Sequence, residues 1–92
     1  MNLIISKKAQ IEIELSVDYY NLQKKDLGNI FKNNIMYFIL NIKEFPNLYP
    51  NVDKDIKRCL LHKFPYSIFY TIRDDKIIIL SVAHQHKKPK YK

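Results

Sequence analysis

Glycine is almost missing from this chain. Gly28 stands alone, so a glycine-rich loop that cradles phosphates cannot be built. Cys59 is the only cysteine, which excludes an intramolecular disulfide or a cysteine-based zinc site and fits a reducing cytoplasm. No apolar run approaches the length of a membrane span, so no membrane partner is expected. The stretch from Leu3 to Ser6, followed by Lys7 and Lys8, is too short and in the wrong order for a signal peptide. His84-Gln85-His86 is a bare H-x-H with no carboxylate beside it. Neither a metal nor any other cofactor is expected. Internal repeats and low-complexity linkers are lacking as well.

What is present is apolar surface and positive charge. The apolar share of 47% is that of a globular chain, and 92 residues make one domain, 1–92, too small for a large internal cavity. The formal charge of +7 is unevenly placed. Residues 1–46 carry six lysines against five acids; residues 47–92 carry ten Lys and Arg against four. The positive field belongs to the C-terminal half, which points to a polyanionic partner such as RNA, DNA, the ribosome or an acidic protein segment, or to a solvated lysine-rich surface.

Along the chain, Leu3-Ile4-Ile5 reads as a short strand. Residues 9–19 carry two periods at once. Ile11, Ile13, Leu15, Val17 and Tyr19 alternate with polar residues as in a strand, while Ala9, Ile13, Val17 and Tyr20 share one helical face, with Ser6 as a cap. The pattern alone favours the strand. Leu27, Phe31, Ile35, Phe38, Ile42 and Phe45 form one helical stripe over 26–45, with Asp26 at its N-cap and Pro46 at its end. Residues 47–53 read as a loop. A strand from Lys54 to Lys63 is expected to put Ile56, Arg58, Leu60 and His62 on one face. A second strand over 66–73, a two-residue Asp74-Asp75 connection and a doubly buried strand over 77–82 follow. The sum is helices layered on an antiparallel sheet, an α+β domain.

These residues, taken in order, resemble the RelE/ParE superfamily of toxins from bacterial type II toxin–antitoxin systems. The resemblance rests on Ala9 with Tyr19-Tyr20, Leu27-Gly28 with Phe31, Phe45-Pro46, Lys57-Arg58, Phe64-Pro65-Tyr66 with Tyr70, and the closing run Ile77 to His84 with Lys87-Lys88-Pro89-Lys90-Tyr91. It implies a short N-terminal strand, a helical hairpin and a three-stranded antiparallel meander (β-α-α-β-β-β), and so a helix over residues 7–24. It also implies an acidic, partly disordered antitoxin as partner. The target it implies is either DNA gyrase, bound without nuclease activity, or messenger RNA cut on the ribosome. The Phe-Pro-Tyr element and the tail are similar to the ParE-like, plasmid-stabilisation branch. A basic interaction module without toxicity is a third class.

Metal-independent RNA cleavage needs a base for the 2′-hydroxyl, an acid for the leaving oxygen and cations at the phosphorane-like centre. The resemblance implies Arg58, His84 and Tyr91 for those roles: Arg58 or Lys87 clamping a phosphate, His84 as base or acid, Tyr91 stacking or donating a proton. Lys57, His62, Arg73, His86, Lys87 and Lys88 are the candidate nucleic-acid or target contacts. The glutamate that some RelE-like nucleases carry before the sheet has no counterpart, since residues 47–57 offer only Asp53 and Asp55. Lys92 also stands where a final aromatic often follows the tail tyrosine.

Overall fold

The computed structural model describes residues 1–86. The elements run β1 (Asn2–Ile5), α1 (Lys7–Gln23), α2 (Leu27–Glu44), β2 (Ile56–Leu60), β3 (Tyr66–Arg73) and β4 (Lys76–His84). The four strands form one sheet in the order β1-β4-β3-β2. The last three are the expected antiparallel meander. β1 departs from a purely antiparallel sheet: it pairs parallel with β4, Asn2 to Ile5 against Lys76 to Ile79.

α1 settles the double period of residues 9–19 in favour of a helix, and shows why both were present. The Ser6 hydroxyl accepts the Ala9 N–H at 3.1 Å and caps the first turn. Ala9, Ile13, Val17 and Tyr20 pack on the core, while Ile11, Leu15, Tyr19 and Leu22 form a second, exposed stripe. Two apolar stripes on one helix produce an alternation that imitates a strand.

α2 buries Phe31, Ile35, Ile39 and Ile42. Phe45, expected on that stripe, lies past the helix end and is 52% exposed. Asp26 sits at the N-cap position in the left-handed region, φ 64°, but its carboxylate does not cap the helix. The helices cross tightly at Gly28, whose N–H donates to Asn21 Oδ1 at 2.8 Å.

β2 is shorter than the run from Lys54 to Lys63. It ends at Leu60, and residues 61–65 turn toward the core through Leu61 and Phe64. Its outer edge is covered by the preceding loop: Arg58 N–H donates to the Pro50 carbonyl at 3.0 Å and Val52 N–H to that of Ile56 at 2.8 Å. The Asp74-Asp75 connection joins β3 and β4 with φ 52° and 61°, the positive values that a two-residue hairpin turn of this twist requires. β4 lies between β1 and β3, as its apolar run implied, and Ile77, Ile79 and Val82 are fully buried or nearly so. An aromatic cluster of Tyr20, Phe31, Phe64 and Tyr66 closes one end of the core, with Phe31 edge-on to Phe64 at 5.1 Å and 4.8 Å from Tyr66. At the other, the Tyr70 hydroxyl donates to the Pro46 carbonyl at 2.6 Å.

A Cβ at Gly28 would overlap the Val17 carbonyl oxygen and come within 2.6 Å of Asn21 Cγ. Alanine is the better helix former by about 1 kcal/mol, but the clash is with backbone and forces the helices apart. Gly28→Ala should cost about 2 kcal/mol net and lower the melting temperature by roughly 10 °C. An unchanged or higher melting temperature in thermal denaturation would refute the close crossing.

Candidate functional site

The end of β4 and the second half of α1 leave a groove of about 780 Å³ between them. Leu15, Ser16, Tyr19, Tyr20 and Gln23 of α1 form one wall; Tyr66 of β3 with His84 and His86 forms the other. The rings meet in sequence: Tyr19 is edge-on to Tyr20 at 5.4 Å, Tyr20 lies 6.1 Å from Tyr66, Tyr66 5.3 Å from His84, and His84 5.2 Å from His86. Burial, and then the neighbouring Tyr66, push the Tyr20 phenol up to about 12.

The imidazole wall is fixed by backbone bonds. His86 N–H donates to His84 Nδ1 at 3.1 Å, so a neutral His84 carries its proton on Nε2. Gln85 N–H donates to the Pro65 carbonyl at 2.7 Å, and its side-chain amide donates to the carbonyls of Leu61 and Tyr66 at 3.2 and 3.0 Å. Three bonds thus lock the end of β4 to the turn before β3 and to the first residue of β3.

Among the described residues, Arg58, Arg73, Lys57 and His62 do not line this groove. Arg58 is exposed on β2 and pairs with Phe69, whereas His84 pairs with Tyr66, one strand position out of phase. Side chains alternate along a strand, so Arg58 projects from the face opposite to the one that carries His84. Arg73 is exposed at the hairpin end, on the Arg58 face. Lys57 is on the helix-bearing face; its ammonium donates to Asn51 Oδ1 at 2.9 Å and to the Tyr49 carbonyl at 3.3 Å, tying down the loop before β2. His62 corrects the expected strand face. It lies beyond β2, exposed, with its ring 6.4 Å from Phe38 of α2, and does not line up with Arg58. Lys87, Lys88 and Tyr91 lie outside the described residues. Among the described residues no group of three His, Cys, Asp or Glu could hold a metal ion. Cys59 is no nucleophile here: burial raises its thiol to about 11, against a Tyr49 hydrogen bond that pulls the other way.

Tyr19-Tyr20 and Tyr66 entered the sequence reading as pattern and resemblance residues and not as site candidates, yet they line both walls of the groove. Beside the groove runs the unpartnered stripe of α1, with Leu15 64% and Leu22 88% exposed.

Residues 3–89 match the family model described as "ParE toxin of type II toxin-antitoxin system, parDE". The solved structure of the chromosomal ParDE toxin–antitoxin system from P. aeruginosa superposes with a TM-score of 0.83 at 17% identity, over 91% of this chain and 95% of that one. At that identity the likeness shows the fold. No curated protein sequence matches the chain.

Tyr20 has a folded pKa above its ordinary value of 10, so its contribution to stability is intact below pH 10 and is lost as pH rises toward 12. Burial raises Tyr49 and Tyr70 as well. In an ultraviolet titration of the folded chain, Tyr20, Tyr49 and Tyr70 should ionise above pH 10, and Tyr20→Phe should remove one of these raised phenols. Complete ionisation in a single step near pH 10 would contradict the packing of the groove walls.

Proposed function

The chain belongs to the ParE toxin family of type II toxin–antitoxin systems, and from that premise we propose that it arrests growth by binding an essential target, DNA gyrase, without cutting RNA, and that a cognate antitoxin neutralises it in the cytoplasm. The observation that carries the reading is the placement of Arg58 and His84 on opposite faces of the sheet. A metal-independent nuclease needs its cation and its base or acid within reach of one phosphate, with reacting groups about 3 Å apart. Arg58 and His84, separated by the thickness of the sheet, do not meet that need as a pair. A binding surface has no such requirement: the imidazoles of the groove and the cations of the C-terminal half can each contact a large partner.

The antitoxin reading draws on two features. The C-terminal half carries ten Lys and Arg against four acids, which complements an acidic segment. The exposed stripe Ile11, Leu15, Tyr19 and Leu22 has the spacing at which one helix face offers anchors to a partner. No helix among the described residues is long and apolar enough to cross a membrane.

Induced expression should stop growth, and the purified chain should inhibit supercoiling by gyrase while leaving messages on programmed ribosomes uncut. A new cut within the A-site codon in a toeprint assay would replace this reading with ribosome-dependent cleavage; unchanged growth would leave a basic interaction module. For the antitoxin, the double substitution Leu15→Glu, Leu22→Glu should weaken binding by about 30-fold, since truncating anchors at an interface typically costs about 2 kcal/mol. Both leucines are exposed, so the melting temperature should hold. Undiminished affinity in calorimetry would move the antitoxin to another face.

A further inference from the structure

β4 outruns its parallel partner. β1 stops at Ile5, opposite Ile79, while β4 continues to His84. The outer edge of those last residues would offer unpaired N–H and C=O groups beside α1, where each lost bond is costly. The N-cap of α1 and the helix itself supply what a longer β1 would have given. Ser6 N–H donates to the Ile79 carbonyl at 3.0 Å and its hydroxyl to that of Leu80 at 3.1 Å. Further along α1, Glu12 takes over. Its Oε1 accepts Val82 N–H at 3.1 Å, and both carboxylate oxygens accept the Ser81 hydroxyl, at 3.0 and 3.1 Å.

These contacts sit at the one irregular place in the sheet. Tyr70 pairs with Ile79 and Phe69 with Ser81, so Leu80 is an extra residue, a β-bulge. Before the bulge the residues on the core face are Ile77 and Ile79; after it they are Val82 and His84, paired with Ile68 and Tyr66. Had the strand run on without the extra residue, Ser81 and Ala83 would face the core and His84 the other side. The two residues that Glu12 holds are the first two beyond the bulge.

We propose that Glu12 is a positioning residue: from α1 it pins the bulged register of β4 and thereby fixes that His84, and not its neighbours, faces the groove. Its consequence for toxicity rests on the proposed function above, because only there does the imidazole wall belong to a target-facing surface. The amide oxygen of E12Q can accept the same N–H and O–H; E12A offers no acceptor.

The test compares the chain with E12Q and E12A by NMR and by growth on induction. In E12A the Val82 amide should exchange about 10- to 100-fold faster, as expected for losing the partner of a buried donor. The His84 ring should also lose its contacts to Tyr66 and its Nδ1-acceptor signature, with protection at Ile39 and Ile68 unchanged. E12Q should match the unmodified chain, and growth arrest should weaken in E12A alone. An unmoved His84 ring and Val82 amide in E12A would overturn the proposal. So would protection lost uniformly through Ile39 and Ile68, or E12Q behaving as E12A. Full arrest by E12A despite a displaced His84 would overturn the link to toxicity. Should the unmodified chain fail to arrest growth, the proposed function fails, and the NMR comparison still decides what Glu12 does.

Discussion

The pairing of Asn2–Ile5 with Lys76–Ile79 is the contact on which the rest of the molecule hangs. It joins the two ends of the described chain and leaves β4 flanked by strands on both sides. Everything between is a crossover that must return β4 to that slot. The pairing alone is not strong, since a cross-strand contact contributes about 0.2–1 kcal/mol. Burial of Ile77, Ile79 and Val82, each about 1.5–3 kcal/mol, is larger. Hydrophobic burial therefore selects the central strand, and the parallel pairing fixes where it lies.

The same arrangement makes the candidate surface. Because β1 is only four residues long, it covers half of β4 and leaves the other half beside α1. That half would be an open edge in a plain sheet. Here it is sealed by side chains of one helix, and the space beyond the seal is the groove. A short first strand, a cap at Ser6 and a carboxylate at Glu12 are thus parts of one solution to a hydrogen-bonding problem. The groove with its tyrosines and imidazoles is its by-product, left where β1 ends and β4 runs on beside α1. The surface is accordingly mixed, apolar along α1 and polar along β4, and it suits recognition of another macromolecule better than enclosure of a small substrate.

Much of the architecture was legible in the sequence, for local reasons. The stripe of α2 was long and regular. The Asp74-Asp75 turn lay between two β-type runs, and the nearly all-apolar run 77–82 announced a strand buried on both faces. α1 was not legible from its own pattern, because Ile11, Leu15, Tyr19 and Leu22 are apolar yet face solvent. Apolar residues that face solvent look, in the sequence, like residues kept for a core. His62 was misplaced for a related reason: alternation continues through residues 61–63 although the chain has already left the sheet to bury Leu61 and Phe64.

By itself the sequence determined the class of the fold, the order of its elements from α2 onward and the asymmetry of its charge. All three follow from side-chain chemistry repeated over many positions, where single exceptions average out. Tertiary structure alone decided which face each candidate residue occupies. A single inserted residue, Leu80, turns His84 toward the groove, and Arg58 remains on the far side. A bulge costs nothing in periodicity that a short strand can reveal. Its place is set by the outer-edge bonds from Ser6 and Glu12, about 70 positions away in the chain.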